Sequence, residues 1–142
     1  RRLIGVINGF DGKNHDALAA EMKKLLEYGY SNTINHTFYN PGDSIVDIPV
    51  WYGRQDSVSA TVAKPFVVTV PKSDGMTGLR VVARYNNPAS APVMAGDQVG
   101  EIIATRNGTE IARAPLIAQN TVKKTQFFGR VIKNIRVIFG LD

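Results

Sequence analysis

The apolar positions of this chain change rhythm twice, and each rhythm predicts a different kind of structure. Residues 3–8 (Leu3-Ile4-Gly5-Val6-Ile7-Asn8) form a nearly unbroken apolar run, the pattern of a strand covered on both faces rather than half-buried. Such a strand needs a sheet to belong to. A turn-rich connection, Gly9-Phe10-Asp11-Gly12-Lys13-Asn14, follows, with Asn14 or Asp16 placed to cap a helix. Leu18, Met22, Leu25 and Leu26 recur at helical spacing. Lys23 and Lys24 stand where a helix C-terminus favours cations, and Gly29 is placed as a stop. The prediction is a strand, a turn and an amphipathic helix of about 15 residues.

Beyond Tyr30 the helical period disappears. Short segments rich in Val, Ile, Thr and aromatic residues are separated by Pro and Gly, which predicts strands over 45–52, 57–63, 66–70, 79–85, 98–105 and 110–117. Asn107-Gly108 lies between the last two. It predicts a tight hairpin, because both central positions of a type I′ turn need positive φ. Pro41-Gly42 and the stretch 88–92 read as loops. Six or so short strands with this punctuation predict a mainly β fold, a small antiparallel sandwich or barrel.

The tail restores the helical period. On a helical wheel Phe127, Phe128, Val131, Ile132, Ile135, Ile138 and Phe139 fall on one side, and Arg130, Lys133, Asn134 and Arg136 on the other. Val137 alone is misplaced. An aromatic-rimmed apolar stripe opposite cations is the pattern of a helix lying in a membrane interface. A terminal helix docked on its own protein shares part of that pattern.

Charge sharpens this picture. The net charge is +5, yet Lys123, Lys124, Arg130, Lys133 and Arg136 supply five cations without an acid between them. The remainder up to residue 122 holds 12 basic and 11 acidic residues, so a nearly neutral body precedes a cationic tail. Basic residues do not interleave with aromatics along the strands, which leaves nucleic acid without a stacking platform. With 44% hydrophobic and 20% charged residues the composition is ordinary, and the apolar runs fall short of the roughly 20 residues that cross a bilayer. Zero cysteine excludes disulfides and thiolate-held zinc. The opening Arg1-Arg2-Leu3, without methionine or cleavage site, suggests a start within a longer polypeptide.

No catalytic constellation emerges. Ser31, Ser44, Ser57, Ser59, Ser73 and Ser90 are followed three residues later by Ile, Asp, Ala, Val, Met and Val, never by the lysine of a Ser-x-x-Lys nucleophile. Lys124-Thr125-Gln126 approaches a Lys-Thr-Gly triplet, but its third residue is wrong for close backbone approach. His15 and His36 lack partners at metal-ligand spacing. Asp43, Asp47 and Asp56 are dispersed, and Gly96-Asp97-Gln98-Val99-Gly100 leads into a strand rather than a phosphate-binding helix. Neither metal nor cofactor is expected.

Several stretches together carry a resemblance along the whole chain. Arg2-Leu3-Ile4-Gly5-Val6-Ile7-Asn8-Gly9 and Lys24-Leu25-Leu26-Glu27-Tyr28-Gly29-Tyr30 resemble the last strand and last helix of the penicillin-recognising domain in the D-alanyl-D-alanine carboxypeptidase family. Tyr39-Asn40-Pro41-Gly42, Val50-Trp51-Tyr52-Gly53 and Phe66-Val67-Val68-Thr69-Val70-Pro71-Lys72 are similar to that family's second domain. So are Ala91-Pro92-Val93, Gly96-Asp97-Gln98-Val99-Gly100, Ala114-Pro115-Leu116-Ile117-Ala118 and Phe127-Phe128-Gly129-Arg130.

The resemblance implies a division into 1–34, the end of the penicillin-recognising domain; 35–122, a β-rich domain; and 123–142, an amphipathic membrane-associating tail. It implies that a serine encoded upstream of Arg1 cleaves the D-Ala-D-Ala amide of peptidoglycan stem peptides. This chain would then be an inactive support domain, periplasmic and peripheral on the inner membrane. Leu18 stands about where many relatives carry an arginine near the substrate carboxylate, with Lys13 as a substitute. Peptidoglycan, through the missing domain, and the membrane surface are the implied partners, and self-association of the open strand and helix is a further expectation. Two other readings are a non-enzymatic interaction sandwich and a biotinyl or lipoyl carrier. The carrier fits poorly, because the hairpin tip is Arg106-Asn107-Gly108 and not a modifiable lysine.

Overall fold

The computed structural model describes residues 2–10 and 14–125. Its elements are helix α1 (His15–Asn32) and strands β1 (Thr33–Tyr39), β2 (Val46–Trp51), β3 (Ser57–Val62), β4 (Phe66–Pro71), β5 (Leu79–Tyr85), β6 (Ala89–Ser90), β7 (Gln98–Arg106) and β8 (Thr109–Ala118). The mainly β fold predicted from the pattern is the one observed, antiparallel except for the short parallel pair of β2 with β6, and the six predicted strands correspond to β2, β3, β4, β5, β7 and β8. Six strands pair in the order β5-β7-β8-β3-β2-β6, and β1 pairs with β4. The chain divides into two compact units, one of residues 1–36 and 68–77, the other of residues 37–67 and 78–142.

In the smaller unit, α1 begins where the sequence predicts. The Asn14 side chain accepts a hydrogen bond from the Asp16 amide at 2.9 Å, satisfying one of the donors that a helix start leaves open. The helix does not stop at Gly29. It runs on to Asn32, where the Asn32 and Thr33 side chains donate to the Tyr28 and Gly29 carbonyls, and β1 follows directly. Gly29 serves packing instead: a Cβ there would lie 3.0 Å from Leu3 Cδ1. The extension also moves Lys23 and Lys24 away from the last turn. Lys24 pairs with Glu21 at 2.7 Å and Lys23 with Glu27 at 3.8 Å, exposed contacts of small worth.

Residues 3–8 are not the doubly covered strand predicted. Leu3, Gly5 and Ile7 are half-buried, Gly5 so close to α1 that a Cβ would fall 2.5 Å from Met22 Sδ. The alternate residues Ile4 and Val6 are 77% and 80% exposed. The run forms no ladder among the described residues. Its period-two burial is that of a strand, with Ile4 and Val6 leaving the second face open to solvent. Leu25, expected on the packed stripe of α1, is 47% exposed, and no residue of α1 is fully buried.

Most of the buried residues belong to the larger unit, with Val68 and Val70 of β4 buried in the smaller one. Ile48 and Val50 of β2, Val58, Ala60 and Val62 of β3, Ile102 and Ala104 of β7, and Leu116 and Ala118 of β8 are buried. In β2 the alternation is strict, with Asp47, Pro49 and Trp51 outward. The β7–β8 hairpin turns at Asn107 (φ 48°) and Gly108 (φ 84°), the positive pair that the sequence predicts. On the outer face of this hairpin Arg113 donates to Glu110 and to Glu101. The first of these hydrogen bonds holds the Glu110 carboxyl below the usual carboxylate range.

Two outcomes are expected. Leu116→Ala, which empties a fully buried site, should cost about 2–5 kcal/mol in urea unfolding. In an NMR titration Glu110 should deprotonate at lower pH than an unpaired glutamate, and Arg113→Gln should return it to the ordinary range. Because the folded-state value is depressed, this pair favours folding above the unfolded carboxylate range, and the contribution is lost as pH falls through the folded value.

Candidate functional site

Asp43 and Asp97, singled out in the sequence, hold turns, and Asp47 ties two strands together. Asp43 accepts from the Asn40 amide at 2.7 Å and closes the Asn40-Pro41-Gly42 turn. Asp47 accepts from the Ser59 hydroxyl across the β2–β3 pair. The Asp56 carbonyl receives the Val50 amide at 2.8 Å. Asp97 accepts from the Met94 amide at 2.8 Å, which fixes the turn before β7. His15 begins α1 and His36 lies within β1. Among the described residues no group of three or more His, Cys, Asp or Glu side chains is arranged to hold a metal.

Leu18 sits half-buried on α1, where it offers no charge to a substrate. Lys13 lies outside the described residues. So do Phe127, Phe128, Arg130, Val131, Ile132, Lys133, Ile135, Arg136, Ile138 and Phe139, the membrane-associating residues expected from the tail pattern.

A hollow of about 340 Å³ opens between the 86–93 segment and the start of β7, lined by Asn86, Ser90, Asp97 and Gln98 among others. Its walls are polar, and the Asp97 carboxylate is already used by the turn. It has the character of a solvated surface depression rather than of an apolar ligand pocket.

The distinctive surface lies at the end of β2, a feature that the sequence reading passed over. Trp51 and Tyr52 are 63% and 42% exposed, with ring centroids 6.0 Å apart in an edge-to-face arrangement. Tyr52 has φ 57°, a left-handed conformation uncommon for a bulky residue. Hydrogen bonds from a distant part of the chain hold it there. The Thr125 amide donates to the Tyr52 carbonyl at 2.7 Å, the Thr125 hydroxyl to the Gly53 carbonyl at 2.6 Å, and the Arg54 amide to the Lys123 carbonyl at 2.8 Å. Gly53 permits the approach, since a Cβ there would meet Val122 Cγ1 and the Gln55 carbonyl, both at 2.7 Å. Arg54, Lys123 and Lys124 are exposed around it. Thr125, from the triplet resembling a catalytic motif, thus has its hydroxyl committed to backbone support. The signal available in the sequence was the outward position of Trp51 once Ile48 and Val50 are placed inward.

Comparison with known proteins agrees with the β-rich architecture. Residues 35–124 match the family model described as penicillin-binding protein 5, C-terminal domain. The D-alanyl-D-alanine carboxypeptidase DacA of Escherichia coli is 30% identical over 141 residues, covering 97% of this chain and 34% of that protein. DacF of Bacillus subtilis is 23% identical over 108 residues, covering 76% of the chain and 28% of the relative. The chain therefore spans about a third of the length of these relatives. A crystal structure of penicillin-binding protein 5 from Haemophilus influenzae superposes with a TM-score of 0.69 at 25% identity, covering 78% of this chain and 32% of that one. With the family model matching well over half of its residues, and the β-rich fold shared with a solved member, this chain belongs to the penicillin-binding protein 5 C-terminal domain family.

Proposed function

We propose that this chain is the support portion of a serine-type D-alanyl-D-alanine carboxypeptidase, which holds a catalytic domain in a set relation to membrane and cell wall. In this reading the nucleophile that trims peptidoglycan stem peptides belongs to a segment preceding Arg1, and the chain alone does no chemistry. The protein is then periplasmic and peripheral on the inner membrane.

The observation that carries this reading is the half-clad strand at residues 3–8. One face lies on α1, while Ile4 and Val6 project from the other. Apolar residues exposed at that level are costly as a permanent arrangement, at roughly 25 cal/mol per Å² of apolar surface left in water. A strand-helix layer of this kind is what the last elements of a larger α/β domain look like when seen without the rest of its sheet. The β unit, by contrast, has a complete core of its own. The tail pattern of Phe127, Phe128, Val131, Ile132, Ile135, Ile138 and Phe139 opposite Arg130, Lys133 and Arg136 supports attachment to an anionic bilayer.

Two measurements test this. Incubated with labelled penicillin, the chain should show no mass increase by intact-mass spectrometry, and a stoichiometric adduct overturns the assignment of the nucleophile to another segment. Sedimentation with phosphatidylglycerol-containing vesicles should be lost in the Ile132→Asp/Ile135→Asp variant. Salt should weaken it only in part, because burial of the apolar face is not screened.

A further inference from the structure

The end of β2 and the root of the tail form one built corner, and its chemistry selects a partner. Segments 51–56 and 121–125 together contain three cations, Arg54, Lys123 and Lys124, against one acid, Asp56. The three cations are exposed, and their backbone adjoins or is bridged to the segment that carries the exposed rings of Trp51 and Tyr52. We propose that this corner is a membrane contact of the β unit itself. The two rings enter the headgroup boundary of an anionic bilayer, while Arg54, Lys123 and Lys124 meet lipid phosphates. The inference deepens the support reading and rests on it for the presence of a membrane. Trp51, Tyr52 and Arg54 lie outside the 123–142 tail, while Lys123 and Lys124 stand at its root, ahead of the apolar stripe.

Three observations converge on a lipid surface. Trp and Tyr favour the membrane–water interface because each ring is apolar in its body and polar at one atom. Exposing both at adjacent positions has no packing purpose in the core, since β2 already directs Ile48 and Val50 inward. The cations supply the matching charge, at roughly 1 kcal/mol for each Lys or Arg near an anionic leaflet, or about fivefold in affinity. The third observation is connectivity. Gly53 bridges Lys124, and Thr125 is bonded to both Tyr52 and Gly53, so the backbone of 124–125 adjoins that of the residues carrying the exposed rings. The bonds that fix Tyr52 at positive φ also keep the pair pre-organised, which lowers the entropic cost of contact.

Trp51 is the sole tryptophan of the chain, so its fluorescence reports this corner directly. With the full chain and vesicles of phosphatidylglycerol and phosphatidylethanolamine, Trp51 emission should shift to the blue, resist iodide quenching and be quenched by lipids brominated near the headgroup end of the acyl chain. Arg54→Gln/Lys123→Gln/Lys124→Gln should lose about a hundredfold in vesicle affinity, as three charges at fivefold each imply. Lys64→Gln/Arg80→Gln/Arg84→Gln, which removes the same charge from exposed positions elsewhere, should lose far less.

Equal losses in the two triple variants overturn the corner in favour of a net-charge effect. Sedimentation with vesicles while Trp51 emission stays unchanged overturns the corner and leaves the tail reading intact. Failure to bind vesicles at all overturns both. A blue shift on adding soluble peptidoglycan glycan strands, with none on adding vesicles, overturns the lipid assignment in favour of a carbohydrate surface.

Discussion

The larger unit depends on one short seam, the pairing of β3 with β8. Ala60, Thr61 and Val62 lie opposite Ala118, Ile117 and Leu116, and this contact joins the β5-β7-β8 ladder to the β3-β2-β6 ladder. Only three register pairs make the seam, so burial rather than hydrogen bonding must secure it. Ala60, Thr61, Val62, Leu116 and Ala118 are each 5% exposed or less. Small residues at Ala60 and Ala118 let the strands carry bulk on both sides without opening a void. The surrounding polar groups reinforce the same register: Gln119 donates through its amide to Ser59 and through its side chain to Gly42, and Asn120 receives the Ser59 amide. Because the seam joins segments more than fifty residues apart, its closure carries a loop-entropy cost that the local β2–β3 and β7–β8 pairs do not.

The two units differ in how completely they satisfy themselves. The β unit encloses Ile48, Val58, Val62, Ile102, Leu116 and Val122 almost entirely. The smaller unit buries Val68 and Val70 of β4 but no residue of α1 fully, and it leaves Ile4, Val6, Tyr28 and Tyr30 open to solvent. The contrast is one of packing: strand faces close the core of the β unit, while the helix and the run before it keep apolar side chains in water.

Much of the β architecture was legible because alternation and turn chemistry agree. The segments 57–62, 66–71 and 79–85 were readable from β-branched runs bounded by Pro, Gly and Asp, and Asn107-Gly108 fixed the last hairpin. β1 was not, because Asn35 and His36 interrupt its apolar pattern and it follows α1 without a turn residue. Gly29 misled for a related reason: glycine marks either a helix stop or a close approach, and only the position of Leu3 distinguishes them. The aromatic corner was half-legible. Alternation turns Trp51 outward, but Thr125, 72 residues beyond Gly53, enters by a long-range pairing that no local pattern records.

That pairing determines where force would enter the molecule. Tension on the polypeptide after Thr125 falls first on its bonds to Tyr52 and Gly53, then on the Arg54–Lys123 bond and the mutual pair between Val93 and Val122. These run side by side across antiparallel backbone, and beyond them stand β2 and the buried sheet centre. Strand β5 stands at the opposite margin of the sheet, so a pull applied at Thr125 loads the β2 side first and reaches β5 only through β3, β8 and β7.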